Sequence, residues 1–199
     1  MFMSTWFLAL LGFAVAASIT PGPNNVLVTA NAARHGLRAT LPHMLGISLG
    51  FAAMIVLVGL GLAGLLTATP LLATALRWIA LAWLLRLAWQ TATAKPPGSP
   101  GGQLPFGFRA AVLFQWVNPK AWLLALSIAS AWVQPDAPAL PQLLAIAGVF
   151  ALVNMPCALP WALLGTGAAR VFTTPRAMRR FNIAMAVLLV ASMLPIVVA

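Results

Sequence analysis

The chain has 199 residues, of which 62% are hydrophobic and 6% charged, with one acid against eleven lysines and arginines. So few polar side chains cannot coat a soluble domain of this size, which excludes an ordinary water-soluble fold and points to a membrane-embedded chain. A net charge of +10 would suit nucleic acid only as a continuous basic face on a polar domain; most bases here occupy short stretches between apolar runs, so no nucleic-acid partner is implied.

In chain order, six apolar segments stand out, at about residues 6–32, 43–66, 71–93, 108–133, 141–166 and 181–198. Each can span roughly 30 Å of hydrocarbon at about 1.5 Å rise per residue. The expected fold is an all-α integral membrane protein of six transmembrane helices. The start, WFLALLGFAVA followed by AVAAS, imitates a signal peptide, but no basic residue precedes it, so it is read as a membrane segment.

Segment one is interrupted by TPGPNN, residues 20–25. Pro21 and Pro23 bring no N–H and Gly22 relaxes the backbone, so the helix is expected to break or kink there. Carbonyls freed inside the protein, together with Asn24, Asn25 and the hydroxyls of Thr20 or Thr29, would then face a polar ligand. A plain kink stabilised by neighbouring helices is the competing reading. Segment two holds Gly46 and Gly50, then Gly59, Gly61 and Gly64; small residues at this spacing let helix backbones approach closely and permit a homodimer. His35 and His43 border the first basic loop, where imidazole titrates near neutral pH.

In segment three, Arg86 lies midway between Arg77 and Lys95 with no membrane acid to neutralise it. Its partner is a carbonyl, water, a lipid phosphate or a transported anion. The stretch 95–107, containing KPPGSPGGQ, opposes helix and divides a half at 1–94 from a half at 108–199. Three crossings per half would give an inverted 3+3 repeat, with helices one and four broken.

Segment four carries the second interruption, Asn118, Pro119 and Lys120. Pro119 starts a new helical turn, and the Lys120 ammonium beside fresh N–H groups suits a carboxylate ligand; snorkelling of Lys120 to the interface is the alternative. Segment five adds Asn154, Pro156 and Pro160 as a third irregular wall or a kinked packing helix, with Cys157 a small packing residue. Eight of the eleven bases, namely Arg34, Arg38, Lys95, Arg109, Arg170, Arg176, Arg179 and Arg180, fall on one side of the six segments. That side is assigned to the cytoplasm and both termini to the periplasm.

No phosphate loop, zinc motif, cysteine–histidine cluster or carboxylate pair occurs. The reading is therefore a non-enzymatic membrane protein with no catalytic residues, no cofactor, no metal and no implied ATPase subunit. Substrate binding is assigned to Pro21, Gly22, Pro23, Asn24, Asn25, Asn118, Pro119, Lys120, Arg86 and Asn154.

Three blocks carry a family resemblance: TPGPNNVLVTANAARHGLRATLPHMLGISLGF at 20–51, LRWIALAWLLRLAW at 76–89 and FQWVNPKAWLLAL at 114–126. With these the chain resembles the LysE/RhtB superfamily of bacterial amino-acid exporters over nearly its full length. The resemblance implies a multi-pass secondary exporter of the inner membrane, driven by the proton gradient, with an amino-acid substrate and lipid as its partners. It also implies a neutral substrate, because Phe51 stands where many members carry an acid just after the glycine-rich start of segment two. The family often has tyrosine near Trp83 and glycine near Ala80 and Ala88, and Arg86 is unusual. GPNN with GISLGF is similar to the cysteine and O-acetylserine branch. The mechanism implied is alternating access, with Lys120 and exposed N–H groups on the substrate carboxylate and Asn24, Asn25 and Asn118 aligning its polar groups. A channel or non-transporting assembly subunit is the alternative.

Overall fold

A computed structural model describes residues 2–62, 64, 68–95 and 105–192. Most of the linker, at 96–104, lies outside the described residues. Within them the chain forms seven α-helices and one π turn, with no strand. The first helix, α1 (Phe2–Ile19), stops just before Pro21. Pro23 then opens α2 (Pro23–Leu57), at a first-turn position where its missing N–H costs nothing. Within α2 the chain bends at Gly36, whose φ of 80° lies in the left-handed region open to glycine. A π turn at Val58–Leu62 extends the element.

Pro70 likewise sits in the first turn of α3 (Pro70–Ala92). The short α4 (Phe108–Gln115) ends before Asn118, which is extended at φ −90° and ψ 110° as a residue preceding proline prefers. Asn118 then caps α5 (Pro119–Ala131) through its side-chain oxygen. The long α6 (Ala139–Val171) absorbs Pro156 and Pro160 without ending, and Thr174 caps α7 (Pro175–Ala191).

These elements correct the expectation of six transmembrane helices. Two described helices are long and apolar enough to cross a membrane, Pro23–Leu62 and Ala139–Val171. The sequence reading placed a loop between segments one and two, but the chain turns there at Gly36 alone, with helix on both sides of that kink. Segment one is divided at Thr20–Gly22, which leaves a shorter apolar helix, Thr5–Ile19. Segment four is divided into helices of 8 and 13 residues. Prolines thus separate distinct helices here rather than breaking one crossing. The inverted 3+3 repeat is corrected with it: helices of 18, 35 and 23 residues precede the linker, and helices of 8, 13, 33 and 17 follow it.

The first part of α2 lies at the centre of the bundle, between α6 and α4, and packs most extensively on α6. Small residues make this possible. A Cβ on Gly46 would strike the Phe108 carbonyl oxygen, one on Gly50 would lie 2.9 Å from Val112 Cα, and one on Gly165 would strike the Thr29 carbonyl oxygen. Gly46 and Gly50 of α2 therefore serve contacts within the chain. A core of Leu10, Phe51, Met54, Ile128, Ile146 and Phe150 joins α1, α2, α5 and α6. A second core of Val26, Leu27, Leu84, Phe114 and Leu189 joins α2, α3, α4 and α7. The outer faces are apolar as well: Leu71, Leu152, Val171 and Trp89 are each more than 70% exposed. In water such a surface would drive association, whereas hydrocarbon solvates it.

Candidate functional site

Helix α1 ends at an exposed stretch, Ile19 to Pro21, on a chain whose outer surface is apolar, so its last carbonyls need partners that hydrocarbon cannot supply. Side chains supply them. The Asn25 amide donates to the Ser18 and Thr20 carbonyls at 2.9 Å each, and the Trp161 indole donates to Ile19 O at 3.0 Å. Lys120 Nζ then reaches across from α5 and donates to Thr20 O at 3.0 Å, Thr20 Oγ1 at 2.7 Å and Pro21 O at 3.4 Å. An ammonium has three N–H groups, and all three find acceptors at the end of α1 where the helix dipole is negative. The chain's one acid, Asp136, plays no part in this; oriented carbonyls do the work of a counter-ion.

The second break meets the first through the same lysine. Asn118 Oδ1 accepts from Lys120 N at 3.1 Å, which fixes the first turn of α5 and aims the lysine stem. That stem passes directly over Gly22, where a Cβ would lie 2.8 Å from Lys120 Cδ. Gly22 itself is fully extended, at φ 177° and ψ 176°, so glycine is needed there for space and not for backbone conformation.

Between the breaks lies a cavity of about 40 Å³, with Gly22, Asn24, Asn25, Asn118, Lys120 and Asn154 in its walls. Six of the ten residues singled out from sequence therefore converge on one space. Phe51 forms part of the wall and packs edge-on against Phe150 at 5.5 Å. The cavity holds roughly three water molecules at the usual volume per site, a space smaller than an amino acid. Asn154, 8% exposed, makes no hydrogen bond among the described residues and lines this space with its amide.

Gln115 is a residue that sequence reasoning passed over. It is fully buried and forms a reciprocal amide pair with Asn24: Asn24 Nδ2 donates to Gln115 Oε1 at 2.9 Å, and Gln115 Nε2 donates to Asn24 Oδ1 at 3.2 Å. Its Nε2 also donates to Ala111 O at 2.9 Å. The pair ties the start of α2 to the end of α4 beside the cavity. Asn24→Ala strands one face of a buried amide, at a cost of about 1–3 kcal/mol. Asn24→Ala with Gln115→Leu is expected to recover at least half of that loss, measured as a double-mutant cycle of thermal stability in detergent.

Other singled-out residues lie elsewhere. Arg86 is exposed on α3, with its guanidinium 5.7 Å from the Trp83 ring, and does not line the central cavity. Pro119 lines a separate groove beside Trp116 and Trp122. Pro21 enters only through its carbonyl, and the buried Pro23 acts as the first turn of α2. Thr29, named from sequence as a possible helper, donates to Asn25 O at 2.9 Å and Trp161 O at 3.0 Å, tying α2 to α6. Cys157 is buried, with its thiol 4.0 Å from Val15 O. His43 is fully buried against Phe106, with ring centroids 4.7 Å apart.

An all-α bundle with an apolar outer surface and a small polar chamber at the meeting of two helix breaks has the build of a membrane translocator. Comparison with known proteins identifies which. Residues 15–194 match the family model described as LysE type translocator, and the chain belongs to that family. It is similar to the cysteine/O-acetylserine efflux protein of Klebsiella pneumoniae subsp. pneumoniae, 32% identical over 190 residues, covering 96% of each chain. The cysteine/O-acetylserine efflux proteins of Salmonella typhimurium and Escherichia coli strain K12 are each 32% identical over 179 residues, covering 89% of this chain and 90% of theirs. No solved structure matches. The family and these relatives are transporters, so this is a membrane transport protein and not an enzyme.

Proposed function

We propose that the chain is a secondary active exporter of neutral amino acids or close derivatives, working by alternating access and driven by the proton gradient. The carrying observation is the central cavity, where the Asn24, Asn25, Asn118 and Asn154 amides and the Lys120 ammonium meet beside Phe51 and no acid. An anionic wall would be needed to hold a second positive charge on the substrate, and Phe51 offers none. The relatives named for cysteine and O-acetylserine efflux fit a small neutral cargo. In this reading the cavity is the closed form of the substrate site. Opening it lets a carboxylate take over Lys120 from the Thr20 and Pro21 oxygens, while Asn118 and Asn154 engage the amino group and side chain. The basic end of the bundle, with Arg34, Lys95 and Arg179, faces the cytoplasm of a bacterial inner membrane, and the termini face the periplasm.

The test is uptake of labelled L-cysteine, O-acetyl-L-serine and a panel of other neutral amino acids into inside-out vesicles under an imposed pH gradient. Saturable uptake that collapses with the gradient is expected. No uptake or exchange across the panel by protein present in the membrane would overturn the proposal.

A further inference from the structure

A second cavity, of about 290 Å³, lies between α2 and α3 at the basic end of the bundle. It is several times the size of the central one and close to the lower bound of small-ligand pockets, roughly 300 Å³. Its α2 wall follows one helical stripe: Asn24, Leu27, Asn31 and Arg34 recur at intervals of three and four, which places them on one face. Asn24 belongs to the central cavity, and Leu27, Asn31 and Arg34 belong to this one. Leu27, in the wall of this cavity, also packs with Leu84 and Phe114 in one apolar cluster.

The walls are built, not accidental. Asn31 holds Phe106 in place by its backbone on both sides: Phe106 N donates to Asn31 Oδ1 at 3.0 Å, and Asn31 Nδ2 donates to Phe106 O at 3.3 Å. The ring so placed closes the cavity opposite α3. Thr91 is buried and its hydroxyl proton is spent on Leu87 O at 2.8 Å, leaving an oxygen that accepts. The Gln90 amide makes no hydrogen bond among the described residues and lines the same space. Arg34, half-buried, adds a guanidinium that carries its charge at any physiological pH. Cation, free amide, hydroxyl acceptor and apolar ring together match the carboxylate, ammonium and short side chain of a zwitterion.

We propose that this cavity is a separate first binding site for a neutral amino acid or its derivative, with Arg34 on the carboxylate and Gln90 and Thr91 on the remaining polar groups. The proposal rests on the export reading, since an exporter loads from its cytoplasmic, basic end. The ligand waits here until the Leu27–Phe114 cluster parts and the central cavity opens.

The two sites are separable by experiment. Purified protein carrying Asn154→Leu, which alters the central cavity alone, is tested by equilibrium dialysis with labelled O-acetyl-L-serine, L-cysteine and L-alanine. Binding of one molecule per chain is expected to survive in it. Adding Arg34→Gln or the space-filling Ala30→Phe is expected to weaken that binding at least tenfold, and Arg34→Lys to restore part of it. In otherwise unaltered protein, Arg34→Gln is expected to raise the KM for export about tenfold with kcat within about twofold, the pattern of lost ground-state binding. Loss of all binding in Asn154→Leu alone would overturn the second site. So would equal affinity with and without Arg34→Gln and Ala30→Phe, or native mass spectra in which Arg34→Gln removes a bound phospholipid and no amino acid. Failure of the export reading shows differently, as absence of transport by the unaltered protein.

Discussion

Lys120→Ala is expected to abolish export and to lower stability by about 2–4 kcal/mol, and Gly22→Ala to reproduce part of both losses. The ammonium makes three contacts with Thr20 and Pro21, and charge-assisted bonds contribute roughly 1.5–3 kcal/mol each. They share one donor group and one short stretch of chain, so their losses overlap and the total falls below the sum. Gly22→Ala acts through the same lysine. Extended backbone at φ 177° accepts alanine without strain, but the new Cβ meets the lysine stem at 2.8 Å and pushes it off its acceptors. Export by Gly22→Ala is expected to fall by about tenfold or more. In a Lys120→Ala background Gly22→Ala should cost almost nothing, because the stem it displaces is gone. Thermal stability of the four proteins in detergent and export per folded molecule measure this coupling. Additive losses would show that Gly22 matters for some reason other than Lys120.

Both breaks were legible in the sequence because proline chemistry is local: Pro21 bars α1 from continuing, and Pro23 and Pro119 are at home in the first turn of a new helix. Asn24, Asn25, Asn118, Lys120 and Asn154 could be singled out because amides and an ammonium in apolar runs demand partners. What those partners are was not legible. Freed carbonyls at the end of α1 were expected to face a ligand, yet Asn25, Trp161 and Lys120 occupy them. Trp161 lies 142 residues from Ile19 and Gln115 lies 91 from Asn24, separations at which no local pattern pairs residues. Arg86 failed for a different reason. A charge in an apolar run signals that something must solvate it, but α3 is apolar on all sides and its sequence does not say which face turns outward. The count of six crossings failed because hydropathy sees apolar length and not helix continuity. Residues 33–42 look like a polar loop and are helical on either side of a single kink at Gly36, while residues 20–22 sit inside an apolar run and end a helix.

Asn154→Leu is expected to separate function from stability in the opposite sense to Lys120→Ala. The Asn154 amide has no hydrogen-bond partner among the described residues but is not fully sealed from solvent, so replacing it relieves no large burial penalty, and leucine, which shares its branching, is larger and must fit beside the cavity. The variant should therefore keep the stability of the natural chain to within about 1 kcal/mol, while export falls by about a hundredfold through loss of a polar group in the chamber. Asn25→Leu supplies the contrast. Its amide is committed to Ser18 O and Thr20 O, so its replacement should lower stability by about 2 kcal/mol and reduce export mainly through reduced abundance. Thermal melts and export normalised to folded protein distinguish the two. If Asn154→Leu melted lower than the natural chain and exported normally per folded molecule, Asn154 would be a packing residue and the chamber would owe its selectivity to Lys120 and Asn118. Export lost with stability kept would mark Asn154 as a contact for a ligand in the chamber, whereas the committed amide of Asn25 holds the end of α1.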